Sequence, residues 1–332
     1  LDSASTAATT IRLVGSTVAD NPGTTPDGGG GVSVRAFFDL ARLEIVDTTI
    51  HGNSSTTLAG GVLLLADTQA SVIATLSRVT MSSNYSSGAG GAIATRRGIN
   101  GPGTVELAVV DCDLVGNSAG AWGGAASIGL RVARIHVSSF SGNTASILGG
   151  ALFSGAFFGG VGSAVVTGST FDDNSTNGPG GAIYADGGLE VSQSSFVANS
   201  AGGDGGGIWA AGNALVSRST FSANQAAAGG GIWAGGELAL VYGSTFRDNA
   251  ASVAGSALYG GASTFGHQLR YAGNLIAGTC AGNAFAYVTD GHNVESPGAS
   301  CAPFGPAAGD LLGVADAALA LGLLTSDGRT WF

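Results

Sequence analysis

The sequence predicts an all-β fold: a right-handed single-stranded parallel β-helix of about ten turns with a short C-terminal cap. Three observations predict it. First, Asn174, Asn199, Asn224, Asn249 and Asn274 recur every 25 residues, and the first four each close a near-copy of one phrase, from Ser-Thr-Phe-Asp-Asp-Asn to Ser-Thr-Phe-Arg-Asp-Asn. With looser spacing the column runs back through Asn143, Asn117, Asn84, Asn53 and Asn21, so about ten units cover most of the chain. Second, apolar columns keep step with the asparagines. Third, Gly-Gly pairs follow most of them, and no amphipathic helical stretch appears before the C-terminus.

Each unit reads as three short strands. An apolar residue stands three positions before each asparagine: Val18, Ile50, Met81, Leu114, Phe140, Phe171, Phe196, Phe221, Phe246 and Tyr271. Eight positions before lies a second column, Leu13, Ile45, Leu76, Val109, Ile135, Val166, Val191, Val216 and Val241. The odd offset between the two cannot be met by one alternating strand, so the chain bends between them. Beyond the asparagine come the Gly pairs (Gly90-Gly91, Gly123-Gly124, Gly149-Gly150, Gly180-Gly181, Gly205-Gly206) and a third column, Ile93, Leu152, Ile183, Ile208, Ile232 and Leu258. Stacking such units strand on strand buries all three columns in one continuous core. At about 4.8 Å per turn the rod would be ~45–50 Å long. The asparagines are expected to take left-handed angles at a tight corner and to hydrogen-bond from turn to turn. The glycine pairs are expected to supply positive φ and close approach.

A solenoid adds turns rather than cores, so one domain is expected, with repeats over 1–274 and a C-terminal turn and cap over 275–332. Leu311 to Leu324, with Leu312, Ala315, Leu319 and Leu323 at helical spacing, is expected to fold as an amphipathic cap. The chain has no run long and apolar enough for a membrane span. Its net charge is −10 and all twelve basic residues are Arg, without a basic stripe, so nucleic acid is not an expected partner. Cys112 falls in a column of small polar residues (Ser138, Ser169, Ser194, Ser219, Ser244) and is expected to be a buried, inert thiol. Cys280 and Cys301 bracket a stretch beyond the regular repeats, where a disulfide would staple a loop and imply an oxidising compartment; spacing alone leaves the bond open. The chain starts at Leu1 without a signal peptide, so for an exported protein that segment has been removed or omitted.

Ser169 to Asn174 followed by Gly180 to Tyr184 resembles the repeats of chlamydial polymorphic outer membrane proteins, and more widely the right-handed parallel β-helix surface proteins of bacteria. Asn274 to Gly278, Cys280, Gly291-His292-Asn293, Cys301 and Gly309 to Gly313 are similar to the end of the choice-of-anchor β-helix proteins, although Ala317 to Gly328 replaces their usual closing sequence. The resemblance implies a secreted or surface-held helix and a Cys280–Cys301 pairing.

Parallel β-helices also include polysaccharide lyases and hydrolases. Two catalytic carboxylates need to lie about 5–9.5 Å apart. Asp111 and Asp113 are the best acidic pair, expected two apart on one strand and facing outward at ~7 Å. Asp47, Arg78 and Asp111 fall on successive turns, however, and a charge ladder explains them without catalysis. No calcium or zinc ligand spacing emerges, and no cofactor is expected. A different column is more informative. Phe153, Tyr184, Trp209, Trp233 and Tyr259 directly follow the third inward position and by alternation face outward on five successive turns. Such a ladder either forms a platform for a glycan or protein, or stacks on itself beneath a cover. The expected function is a non-enzymatic, extracytoplasmic scaffold or adhesin-like surface protein, with a carbohydrate-active enzyme as the alternative. Self-association at the rod's ends or sides is also expected.

Overall fold

The computed structural model describes residues 2–3, 9–24, 29–67, 69–97, 103–129, 132–155, 162–236, 238–261, 268–282, 287–296, 298, 300–301 and 306–314. Every strand pairing among them is parallel, each strand hydrogen-bonding to its counterpart one turn earlier and one turn later. This builds a stack of four sheets, three of eleven strands and one of nine. One turn shows the plan. Ile183–Ala185 lies in the first sheet, Leu189–Ser192 in the second, Ser195–Val197 in the third and Ser200–Ala201 in the fourth.

The fourth sheet was not legible in the sequence, which predicts three strands per unit. Its strands are mostly two residues long and point small side chains inward, such as Ser86, Ala119, Ala145 and Ala201. They therefore leave no apolar column to read.

The three predicted apolar columns are the core. Val166, Val191, Val216 and Val241 stand in register, as do Ile183, Ile208, Ile232 and Leu258, and all are buried. Phe140, Phe171, Phe196, Phe221 and Phe246 form a continuous stack inside the rod, with centroids 4.7 to 4.9 Å apart and planes within 9° of parallel. Burying each ring is worth about 2–3 kcal/mol, and the strand spacing itself sets the ring separation.

The asparagines lie inside the corner rather than at its left-handed residue. Positive φ belongs to the residue just before each one: Asp20, Gly52, Ser83, Gly116, Gly142, Asp173, Ala198, Ala223 and Asp248. That residue turns the chain, so the following side chain points inward, where Asn53 to Asn249 are buried. Each Asn Oδ1 accepts from the backbone N–H and the side-chain Nδ2 of the asparagine one turn earlier, as Asn199 does from Asn174 at 3.1 and 2.9 Å. Its own Nδ2 also reaches a main-chain oxygen, here that of Phe171 at 2.9 Å.

A second ladder runs five residues earlier, at the corner between the second and third sheets. There Ser138, Ser169, Ser194, Ser219 and Ser244 each receive the N–H of the residue one turn before, and Cys112 Sγ takes that role for Val79 at 3.4 Å. The predicted column errs at its last member. Asn274 receives the N–H of Ser244, and Tyr271 pairs with Val241, so both stand one corner earlier than their spacing implies. The turn between Ser244 and Asn274 is five residues longer than the three before it. That insertion equals the distance between the two ladders and restores a 25-residue spacing by coincidence.

The fourth sheet ends at Ala250–Ala254, while the other three continue for two more turns to Cys280–Gly282, Tyr287–Gly291 and Val294–Ser296. The rod thus changes from four-sided to three-sided near its C-terminal end. The predicted helical cap is not formed at its start, because Leu311 makes a parallel bridge to Val294 and is 59% exposed. Residues 315–324 of that cap lie outside the described residues.

Candidate functional site

The aromatic column occupies the outward face of the first sheet. Phe153, Tyr184, Trp209, Trp233 and Tyr259 are in register on five successive strands. Alternation puts them there, because their neighbours Leu152, Ile183, Ile208, Ile232 and Leu258 point into the core. The rings stack on one another: Phe153 and Tyr184 are 5.4 Å apart, Tyr184 and Trp209 4.2 Å, and Trp209 and Trp233 4.8 Å, with planes within 10°. At those separations each inner ring face is covered by the next ring, so the strip turns edges outward.

Glycines make room for this arrangement. A Cβ on Gly235 would stand 2.4 Å from Trp233 Cη2, and one on Gly261 would stand 2.1 Å from Trp233 Cζ2. The indole therefore lies flat across two chain segments that carry no side chain.

The strip has a closed end and an open end. Phe153 is buried, with Trp122 tilted against it at 5.8 Å. Earlier on the same face Leu63 and Ala94 are buried with Leu58, Ala59 and Ala89 in a small second cluster, against which Trp122 also packs. Tyr184, Trp209, Trp233 and Tyr259 are half-buried. Burial, and secondarily Asp186, pushes the Tyr184 phenol up to about 12, so it stays a neutral donor at physiological pH. Trp122 escaped the sequence reading because it sits outside the strand column, just before its Gly pair; only its proximity in space joins it to the strip.

Asp111 and Asp113 are both exposed but do not share a strand. Asp111 has φ of 53° and forms the corner after Thr104–Val110, whereas Asp113 opens Asp113–Val115. The buried Cys112 between them belongs to the second ladder. The charge ladder is formed in its first half: Arg78 Nε and Nη2 donate to Asp47 at 2.6 and 3.0 Å. That hydrogen bond holds the Asp47 carboxyl below its ordinary value, and Asp111 adds a smaller attraction on Arg78. All three occupy equivalent left-handed corners.

Cys112 is buried, and desolvation raises its thiol above the ordinary value, in keeping with an inert residue. Cys280 and Cys301 form a disulfide with Cα atoms 4.7 Å apart. It joins the last strand of the first sheet to Cys301, which is buried against the core. A shallow groove of about 350 Å³ that the sequence did not announce lies on the outward face of the second sheet, floored by Val165, Glu190, Leu215 and Leu240. Among the described residues no helix is long and apolar enough to cross a membrane.

Residues 137–155 and 168–186 match the pattern of the Chlamydia polymorphic membrane protein (Chlamydia_PMP) repeat. The likeness to that repeat rests on these two stretches. The first match ends on Phe153 to Gly155 and the second spans Tyr184, so both contain a member of the aromatic column. No curated protein and no solved structure matches the chain. The repeat and the disulfide agree with an extracytoplasmic surface protein.

Proposed function

We propose that this polymorphic membrane protein repeat rod is a non-enzymatic extracytoplasmic scaffold that holds a partner through the open part of its aromatic strip. The observation that carries the proposal is the register of Tyr184, Trp209, Trp233 and Tyr259, four half-buried rings on a rigid sheet. Their order is set by the fold, so contact requires little further loss of side-chain freedom.

The edge-on geometry favours a protein partner over a sugar. Sugar rings bind aromatic faces, and the inner faces here are occupied by neighbouring rings. The edges offer indole N–H, phenol O–H and ring hydrogens to carbonyl oxygens and apolar side chains. Catalysis has no comparable support, since Asp111 turns a corner and Asp113 opens the next strand, so the two do not share one strand face.

The test is a binding screen of the intact chain against extracellular protein and glycan arrays, repeated with Trp209→Ala/Trp233→Ala. Protein binding lost in the double variant, while circular dichroism stays unchanged, is the expected result. Retained binding would remove the strip from the proposal. Glycan retention alone would shift the partner class, and release of sugar products would overturn the non-enzymatic reading.

A further inference from the structure

The C-terminal end of the rod carries a feature that a scaffold does not require. On the second ladder, Ser244 passes its N–H to Asn274 Oδ1 at 2.8 Å, and Asn274 passes its N–H and Nδ2 to Asn293 Oδ1 at 3.0 Å. The next acceptor is a carboxylate. Asp310 Oδ1 takes the N–H and Nδ2 of Asn293 at 2.9 and 3.0 Å, as another asparagine would. Its Oδ2 takes Thr289 Oγ1 and the Ala307 N–H, each at 2.8 Å. Beside it, Leu311 N–H donates to the Asn293 carbonyl at 2.8 Å and its carbonyl accepts from Glu295 N–H at 2.9 Å, which mimics one rung of a twelfth turn.

The core is closed in a matching way. The column Phe246, Ile276 ends on Glu295, which points inward and is fully buried. Its carboxylate accepts from Ser300 N–H at 2.6 Å, Ser300 Oγ at 2.8 Å and Cys301 N–H at 3.1 Å. An inward carboxyl group at the end of an apolar column, beside the disulfide-bonded Cys301, is a device that prevents sheets from growing at an edge.

We propose that residues 306–314, with Glu295 beneath them, are a stacking guard that keeps a second copy of this chain from continuing the rod. The second ladder under the guard and the first rung of the same ladder are complementary. The last rung presents the Asn293 donors and the third-sheet edge. At the first rung Ser16 Oγ, the second-ladder counterpart of Asn293, accepts no hydrogen bond among the described residues. A head-to-tail contact of this kind does not close on itself, so an opened guard yields filaments rather than dimers. This goes beyond the proposed scaffold role and is independent of the aromatic strip.

The test is sedimentation velocity of the intact chain across a concentration series, with hydrogen exchange and electron microscopy, for wild type, Asp310→Ala and Leu311→Pro. The two variants open the guard from different sides. Asp310→Asn, which keeps the acceptor, serves as the rescue. The expected result is a monomeric wild type and rescue. In both opening variants, exchange over Val294–Ser296 should be on the order of tenfold faster, with protection kept in the central turns. Those variants should also form concentration-dependent filaments of rod width. Monomeric variants with an open guard overturn the proposal. So do unchanged exchange, amorphous aggregates, or a wild type that assembles equally well.

Discussion

Asn199 illustrates how much one side chain carries here. It accepts two hydrogen bonds from Asn174, donates to the Phe171 carbonyl and passes its own N–H and Nδ2 on to Asn224 Oδ1, all within a buried corner. Replacing it with Ala takes this partner from the Asn174 backbone N–H and the Phe171 carbonyl, away from water, at about 1–3 kcal/mol each, and leaves the Asn174 Nδ2 only the Phe140 carbonyl. Asn199→Ala is expected to destabilise the protein by about 3 kcal/mol or more in denaturant titration. Ala198→Gly, at the preceding left-handed position, should be neutral or stabilising, because its φ of 53° suits glycine. A ladder that tolerated Asn199→Ala without loss would show that main-chain pairing alone holds the corner.

At the scale of the strand, the first sheet and its glycines decide the shape of the aromatic strip. Gly235→Ala would drive a methyl into the Trp233 indole, which must then swing away from Trp209. The expected outcome is a change in near-ultraviolet circular dichroism and tryptophan fluorescence with unchanged far-ultraviolet signal. Unaltered tryptophan spectra would mean that the ring does not lie where the glycines leave room. The sequence revealed the ring column through alternation alone, since Ile208 in the core forces Trp209 outward. It did not reveal that the faces are used internally, because ring orientation depends on glycines two residues along and on the next turn. Nor did it reveal the fourth sheet, whose inward Ala and Ser residues lack a hydrophobic signature. Asn274 was misplaced for a related reason: periodicity measures chain length, whereas the ladder is set by spatial register, and a five-residue insertion separates the two. Glu295 carried no pattern at all and Asp310 only its place in the Gly309 to Gly313 resemblance, because each acts once, at the end of a column.

For the whole molecule, the consequence of uniform register is that length comes in countable steps. Asn174, Asn199 and Asn224 are separated by identical 25-residue units whose strands occupy the same positions in all four sheets. Excising residues 175–199 would join Asn174 to Ser200 and set Phe171 beneath Phe221, leaving every remaining column intact. Each turn meets only its neighbours, so the shortened chain should fold with similar cooperativity and scatter X-rays as a rod shorter by ~5 Å. Reach from a surface can therefore be gained or lost one turn at a time, by duplication or deletion of a single phrase, without designing a new core.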